Sequence, residues 1–491
     1  MFMYLKMNKS QNNLPQKIAL NISWQITGKV ISTILGLFII GLITRYFDLD
    51  TFGKYTTIIS FLTFLAIFID FGLTLVSSQI LGAGDAPEDK LFANLFTFRF
   101  FSAFLFFGLT PFLIFLFPYS MEIKKGVLVL VLSFFFIALN QVFVALFQKK
   151  LRTDIISLAE IIGRIVLFLG ILLVIKLDLG LNGVLFSMVV SSLVNFLIHF
   201  LYSQKFITKL SFSFDWEIWR EILQKSYPLA LSIIFNLIYL KSDVLILSLM
   251  QSQSEVGIYG AAYRVVDVLV SIPFMFAGII LPILSNLWSR GDRDEFFKIL
   301  QKSVDFLIIL ACPLIFGAQI LGEEIMRVIA GAKFSLSGEV LGILIIATGM
   351  IFFTCIFSHV IIAINKQKAV IWIYVFTALS SLLIYFLSIW QFSYFGAAWG
   401  TVYSEFIVAV MVYGYVRRYT GFSFNFLIFF KSFLASFLMF LFLIFLNNFL
   451  VLSVGGGGLW LNLILGFFIY LVVLFLLRGI SLRDLKLVLG R

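Results

Sequence analysis

The stretch YLKSDVLIL (239–247) sets Lys241 and Asp243 inside an otherwise apolar run. Ionisable side chains in such surroundings are expensive to keep and point to ion binding, charged-ligand binding or internal pairing. Lys29, Arg164 and Arg264 share this setting, and together with Lys241 they form a set of cations suited to an oxyanion. Asp70, Asp243, Asp267 and Glu405 are the acids of the same setting. Buried carboxylates of this kind either carry a proton or Na⁺ or close structural ion pairs. On a helix Lys241 and Asp243 point about 200° apart and cannot pair with each other. Arg264 and Asp267 are i,i+3 neighbours, and Glu160 and Arg164 are i,i+4 with the acid first, so each couple shares a face. Asp243 is expected to reach Arg264 on the following helix. His199 and His359 lie near predicted span ends and are expected at the membrane interface.

The elements that must hold these residues follow from composition. The 491-residue chain is 61% hydrophobic and 12% charged, with mean hydropathy +1.08. Soluble proteins keep about a quarter of their residues charged, so lipid must be the solvent for most of this chain. Windows of roughly 20 apolar residues predict fourteen spans, at 20–45, 55–81, 92–117, 126–148, 155–175, 181–203, 228–250, 257–288, 303–321, 339–364, 369–390, 395–416, 428–448 and 459–477. The fold class is therefore an all-α integral membrane protein. The first span is too long for a signal-peptide core and reads as a retained anchor.

Basic residues orient the spans. The N-terminus and alternate loops carry 25 Lys and Arg, Lys90 and Arg99 counted among them, the opposite loops 7, and 4 remain at membrane depth. This bias places both termini in the cytoplasm, as an even span count also requires. It also accounts for the net charge of +11 without nucleic acid as a partner. Cys312 and Cys355 both sit in apolar runs and read as packing residues. The GGGG at 455–458 lacks the Lys-Ser/Thr that completes a phosphate-binding loop, and the chain contains no H-E-x-x-H.

TFGKY (51–55) and EVGIY (255–259) open spans two and eight; LNGVLFS (181–187) and YFGAAWGT (394–401) open spans six and twelve. These echoes predict two six-helix lobes related by a pseudo-two-fold axis along the membrane normal, plus two extra C-terminal helices. The domains are then 1–204 (spans one to six), 205–227 (a cytoplasmic interfacial linker helix), 228–418 (spans seven to twelve) and 419–491 (spans thirteen and fourteen and the tail). In the linker, Asp215 is a plausible N-cap, with Trp216, Trp219 and Leu223 on one face. In the tail, Ser481 and Asp484 form a capping-box pattern.

LITRYFDLDTFGKY, FIDFGL, KSDVLILSLMQSQSEVGIYGAAYRV, RVIAGAKF, INKQK and YFGAAWGTVYSE occur in this order along roughly residues 18–418. In them the chain resembles the polysaccharide-transporter (O-antigen flippase type) branch of the multidrug/oligosaccharidyl-lipid/polysaccharide exporters. The resemblance implies no enzyme activity. It implies alternating-access transfer of an undecaprenyl-diphosphate-linked oligosaccharide, an O-antigen, capsule or exopolysaccharide unit, to the outer leaflet of the bacterial cytoplasmic membrane. Partners would be that polyprenyl-diphosphate lipid, the membrane lipids and other polysaccharide-assembly membrane proteins. No cofactor is implied beyond a proton or Na⁺ gradient. Under this reading Lys29, Arg164, Lys241 and Arg264 line a cavity for the diphosphate. Asp70, Asp243, Asp267 and Glu405 serve ion coupling or structure. Lysine stands at position 241 where many relatives have arginine, which keeps the charge and loses the bidentate fork. The alternatives are a cation-coupled multidrug exporter and a membrane polymerase or ligase acting on the same lipid.

The topology has a direct test. Single cysteines replacing Ser120, Ser254 and Ser453 should react with a membrane-impermeant maleimide added from outside intact cells; protection at two of the three sites would reject the topology.

Overall fold

The computed structural model describes residues 14–83, 87–207, 211–450 and 457–479, and these residues form helices and their connections, with no strand among them. The first half of the chain holds α1 (Leu14–Tyr46), α2 (Leu49–Asp70), α3 (Leu73–Ala83), α4 (Glu88–Phe115), α5 (Met121–Lys149), α6 (Thr153–Leu177) and α7 (Gly180–Ser203). The second holds α8 (Trp216–Met250), α9 (Gln253–Arg290), α10 (Arg293–Ala330), α11 (Ser337–Ala363), α12 (Ile371–Thr420), α13 (Leu427–Leu450) and α14 (Gly457–Leu476). Thirteen helices, all but α3, are long and apolar enough to cross a membrane. The capping-box pattern at Ser481 and Asp484, and the start of the GGGG run, lie outside the described residues.

Two expectations about the elements change. The second predicted span is broken: Phe71 and Gly72 take φ of 41° and 75°, so α2 ends at Asp70 and α3 starts afresh. The linker is not a separate helix, because Trp216–Met250 is continuous. Its N-cap is as expected, with Asp215 Oδ1 accepting from the amides of Glu217 (3.0 Å) and Ile218 (3.4 Å). A hydrogen bond from Lys90, seconded by these amides, holds the Asp215 carboxyl below the usual carboxylate range. Its support of the helix start is thus present at neutral pH and fades as pH falls through that lowered value. Predicted spans eleven and twelve are the two arms of Ile371–Thr420, which part at Ser393 (φ 50°, ψ −132°) within the predicted gap between them. There the chain turns back, since Tyr385 Oη lies 3.4 Å from Ser404 Oγ, whereas 19 residues of straight helix would separate them by roughly 28 Å.

The chain divides into two compact units, Met1–Ile39 with Phe61–Ile234, and Ile40–Ser60 with Phe235–Arg491. The first has a phenylalanine-rich core of Phe92, Phe96, Phe143 and Phe147 on α4 and α5, with Val76 and Ile222. There α1 lies close on α6: a Cβ added at Gly28 would collide with Ser157, and Ser157 Oγ donates to Trp24 O at 2.9 Å. Small residues let helix backbones approach in this way, and this contact sets the positions of Lys29 and Ser32. The second unit is built on α9, α10, α11 and α12, with Tyr239, Leu307, Phe357 and Val412 in its core. Helices α13 and α14 pack on α10 through Met439, Leu443 and Leu321, and Tyr470 Oη donates to Ile309 O at 2.7 Å.

Within the second unit, the N-terminal turns of α2 and α9 meet through the glycines of TFGKY and EVGIY. A Cβ at Gly53 would fall on the carbonyl of Gln253, and one at Gly257 on the carbonyl of Leu49. Each glycine faces the carbonyl four residues before the other, a reciprocal contact like those across two-fold axes. Thr57 Oγ1 donates to Gln253 Oε1 at 2.7 Å beside it. Arg45 donates to Ile329 O at 2.8 Å and also to Val328 O, satisfying C-terminal carbonyls of α10.

Gly53→Ala and Gly257→Ala should each destabilise detergent-purified protein by about 1–3 kcal/mol, as overpacking typically does, read as a lower melting temperature. Gly278→Ala, where nothing lies within 4 Å of the new methyl, should melt no lower than the unaltered protein.

Candidate functional site

The charged residues fall into clusters inside each unit. In the first, α1 and α6 bring Lys29 Nζ to 3.6 Å from Glu160 Oε1, which also accepts from Ser32 Oγ at 2.8 Å. The expected Glu160–Arg164 pair is not formed. Glu160 turns to α1, and Arg164 has no ion-pair partner among the described residues. Arg164 instead lines a cavity of about 440 Å³ between α5, α6 and α7. Glu160 shares its wall, and Asn140, Gln141, Ser191, Asn195 and His199 are among its other polar residues.

Hydrogen bonds orient these walls. Asn140 Nδ2 donates to Asn195 Oδ1 at 3.0 Å, and Asn195 Nδ2 to Ala159 O at 3.1 Å. Ser191 Oγ donates to Gly163 O at 2.7 Å. His199 Nδ1 is 3.0 Å from Asn195 O; a carbonyl only accepts, so Nδ1 carries the proton and Nε2 of the neutral ring is an acceptor. That Nε2 and Asn140 Oδ1 are shielded and have no partner among the described residues. Each such atom costs about 1–3 kcal/mol when left unsatisfied. His199 was expected at the interface; it is 3% exposed.

Sequence reasoning also missed Arg99. It counted Arg99 with the loop cations, but the residue sits within α4 and is 3% exposed. Its guanidinium donates to Asp70 Oδ1 at 2.8 Å and to Ala138 O at 3.0 Å. Thr74 Oγ1, on the far side of the break at Phe71–Gly72, donates to the same Asp70 oxygen. Asp70 is therefore no isolated acid in mid-span; it ties α2, α3 and α4 together.

In the second unit Asp267 takes two cations, Lys241 at 3.3 Å and Arg264 at 3.8 Å. The Lys241 ammonium lies 4.6 Å from the Tyr263 ring centroid and the Arg264 guanidinium 6.0 Å from that of Tyr55. This cluster carries one net positive charge.

Asp243 does not meet Arg264. It points the other way, as its helical angle from Lys241 requires, and is completely buried. It accepts from Tyr259 Oη at 2.6 Å, Val244 N at 2.8 Å and Thr401 Oγ1 at 3.4 Å. Tyr385 Oη extends this network, 3.3 Å from Thr401 Oγ1, and donates to Tyr239 O at 3.0 Å. Glu405, one turn beyond Thr401, is 2% exposed, and its Oε1 has no partner among the described residues. The hydroxyls around Asp243 were invisible in the sequence because tyrosine and threonine are common along it. Beside Arg164, a polar i,i+4,i+8 stripe (Ser191, Asn195, His199) is the sequence signal of the first-unit cavity.

Breaking the first-unit pair gives a test. Asp70→Ala leaves the buried Arg99 uncompensated and should destabilise the protein by about 3–5 kcal/mol. Asp70→Ala with Arg99→Leu should recover much of that loss in melting temperature. Equal melting of the single and double variants would show that the two residues are not coupled.

Comparisons with known proteins extend this picture. A family profile described as polysaccharide biosynthesis protein matches residues 18–288. A "probable low-salt glycan biosynthesis flippase Agl15" of Haloferax volcanii is 26% identical over 212 residues, 42% of this chain and 44% of that protein. The succinoglycan biosynthesis transport protein ExoT of Rhizobium meliloti is 26% identical over 127 residues, 26% of this chain and 25% of that one. The chain thus spans less than half the length of these curated relatives. Among solved structures, the lipid II flippase MurJ in an inward closed conformation shares the fold with TM-score 0.76 at 17% identity, covering 91% of this chain and 97% of MurJ. An inward-facing multidrug resistance transporter of the MATE family shares it with TM-score 0.67 at 13% identity, covering 82% and 98%.

Proposed function

The chain belongs to the polysaccharide biosynthesis protein family, and from that premise we propose that this multi-pass membrane protein is a flippase for a lipid-linked glycan. The substrate we assign is an undecaprenyl-diphosphate-linked oligosaccharide, moved from the cytoplasmic to the outer leaflet by alternating access. The observation that carries the reading is the sharing of Asp267 by Lys241 and Arg264. One carboxylate divided between two cations leaves positive charge for a ligand, and a diphosphate needs such charge to leave water without losing its solvation. The names of the matched flippase and transport proteins support the same substrate class.

The rest of the reading extends from the helices. Counting the two arms of α12 separately raises the thirteen membrane-length helices among the described residues to fourteen, an even number that supports termini on one side, and the excess of Lys and Arg in the N-terminus and alternate loops supports that side being the cytoplasm. The reciprocal contact of Gly53 and Gly257 supports a pseudo-two-fold axis relating α2 to α9. Asp243 and Glu405, with no cation against them among the described residues, are the proposed carriers of a coupling proton or Na⁺. Asp70, bound to Arg99, is assigned to structure, as is Lys29 with Glu160.

In a strain lacking this gene, surface glycan should disappear and its lipid-linked precursor should accumulate on the cytoplasmic side. The unaltered gene should restore export. Lys241→Ala and Arg264→Ala, each removing a charge-assisted contact, should cut export by about tenfold or more at equal protein level. Normal surface glycan in the deletion strain would reject the flippase reading.

A further inference from the structure

The cavity between α5, α6 and α7 has no part in the diphosphate contact assigned above, and its chemistry is specific. Arg164 is a cation without an anion among the described residues. Asn140 and His199 are 7% and 3% exposed, and each holds an acceptor that no described residue satisfies. Asn195 and Ser191 are fixed by their own hydrogen bonds and hold these walls in place. Glu160 also lines the cavity, and Lys29 at 3.6 Å and Ser32 answer its carboxylate, so the cavity offers the Arg164 charge and at least two lone pairs seeking donors. Water can satisfy both the lone pairs and the guanidinium N–H groups, but it leaves the Arg164 charge without a counter-ion. An inorganic anion satisfies the guanidinium but brings few donors. A sugar ring bearing an oxyanion supplies both: its charged oxygens accept from Arg164, and its hydroxyls donate to Asn140 Oδ1 and His199 Nε2. At about 440 Å³ the cavity falls at the small end of ligand sites and suits a single sugar rather than a long glycan.

We propose that this cavity is a recognition site for one anionic sugar, with Arg164 reading the charge and Asn140 and His199 reading hydroxyls. The inference rests on the flippase reading and deepens it, giving the glycan a selectivity site distinct from the Lys241–Arg264–Asp267 cluster. The oxyanion belongs either to a ring carboxylate or to a phosphate ester on the sugar. Both are sugars whose negative charge pairs with a guanidinium.

The test uses the full chain in lipid nanodiscs and three probes, D-glucuronate, glucose 1-phosphate and D-glucose, titrated by saturation-transfer difference NMR. At least one anionic probe should bind about tenfold more tightly than glucose. Binding of glucuronate alone identifies the carboxylate as the source, and binding of glucose 1-phosphate alone the phosphate. Arg164→Gln should bring the anionic probes to within about twofold of glucose, while Arg164→Lys should keep most of the preference. His199→Phe should weaken all probes alike and leave their ranking unchanged. Arg164→Lys and the unaltered protein keep the test decisive if Arg164→Gln fails to fold. Equal binding of the three probes, no binding of any, or a charge preference that survives in folded Arg164→Gln would overturn the inference. Export in the deletion strain separates the two readings. Lost export with equal probe binding sinks the sugar site alone, whereas normal export sinks the flippase reading itself.

Discussion

Lipid offers no hydrogen bonds, so every charge carried into these helices needs an answer from the protein itself. The positions of the main polar residues follow from that constraint. Arg99 is answered by Asp70 and a carbonyl of α5, and in being answered it bridges the break between α2 and α3. Glu160 is answered from α1, which places α1 on α6. Asp267 is answered twice. At Arg164, His199, Asn140 and Glu405 a charge or an acceptor is left without a partner among the described residues.

The two units solve the constraint with different chemistry. The first relies on amides, serines and a histidine around a cavity, groups that offer both donors and acceptors at fixed angles. The second buries a carboxylate among tyrosine and threonine hydroxyls and places Lys241 on the opposite side of the same helix. A helix carrying Lys241 and Asp243 two residues apart has two polar faces, and this is the physical reason why so apolar a stretch tolerates both.

Most of the fold could be read before any coordinates. Hydropathy located the membrane helices because one span of apolar residues is a strong, local signal. What failed was whatever depended on contacts between distant residues. Arg99 looked like a loop cation because it stands near Lys90 in sequence, and only its approach to Asp70 reveals it as an internal group. Asp243 was assigned the nearest plausible cation, although its helical angle already pointed away from Lys241. The break at Phe71–Gly72 hid inside an apolar window, since hydropathy does not sense dihedral angles. In the cavity, Asn195 and His199 were legible as a stripe but overshadowed by the rarer charges. The glycines of TFGKY and EVGIY were picked out as an echo, and their meeting in space gives that echo a physical cause.

The boundaries between the units fall within helices: at Ile39–Ile40 in α1, at Ser60–Phe61 in α2 and at Ile234–Phe235 in α8. A gene divided at the connection before Trp216 would give a first fragment that carries residues 40–60, which the second unit counts as its own. Neither fragment would hold a whole unit, and co-expressed halves would have to recombine through that borrowed hairpin tip. A cut at Ile234–Phe235 would leave the first unit whole but keep residues 40–60 with it, so no single cut frees both units intact.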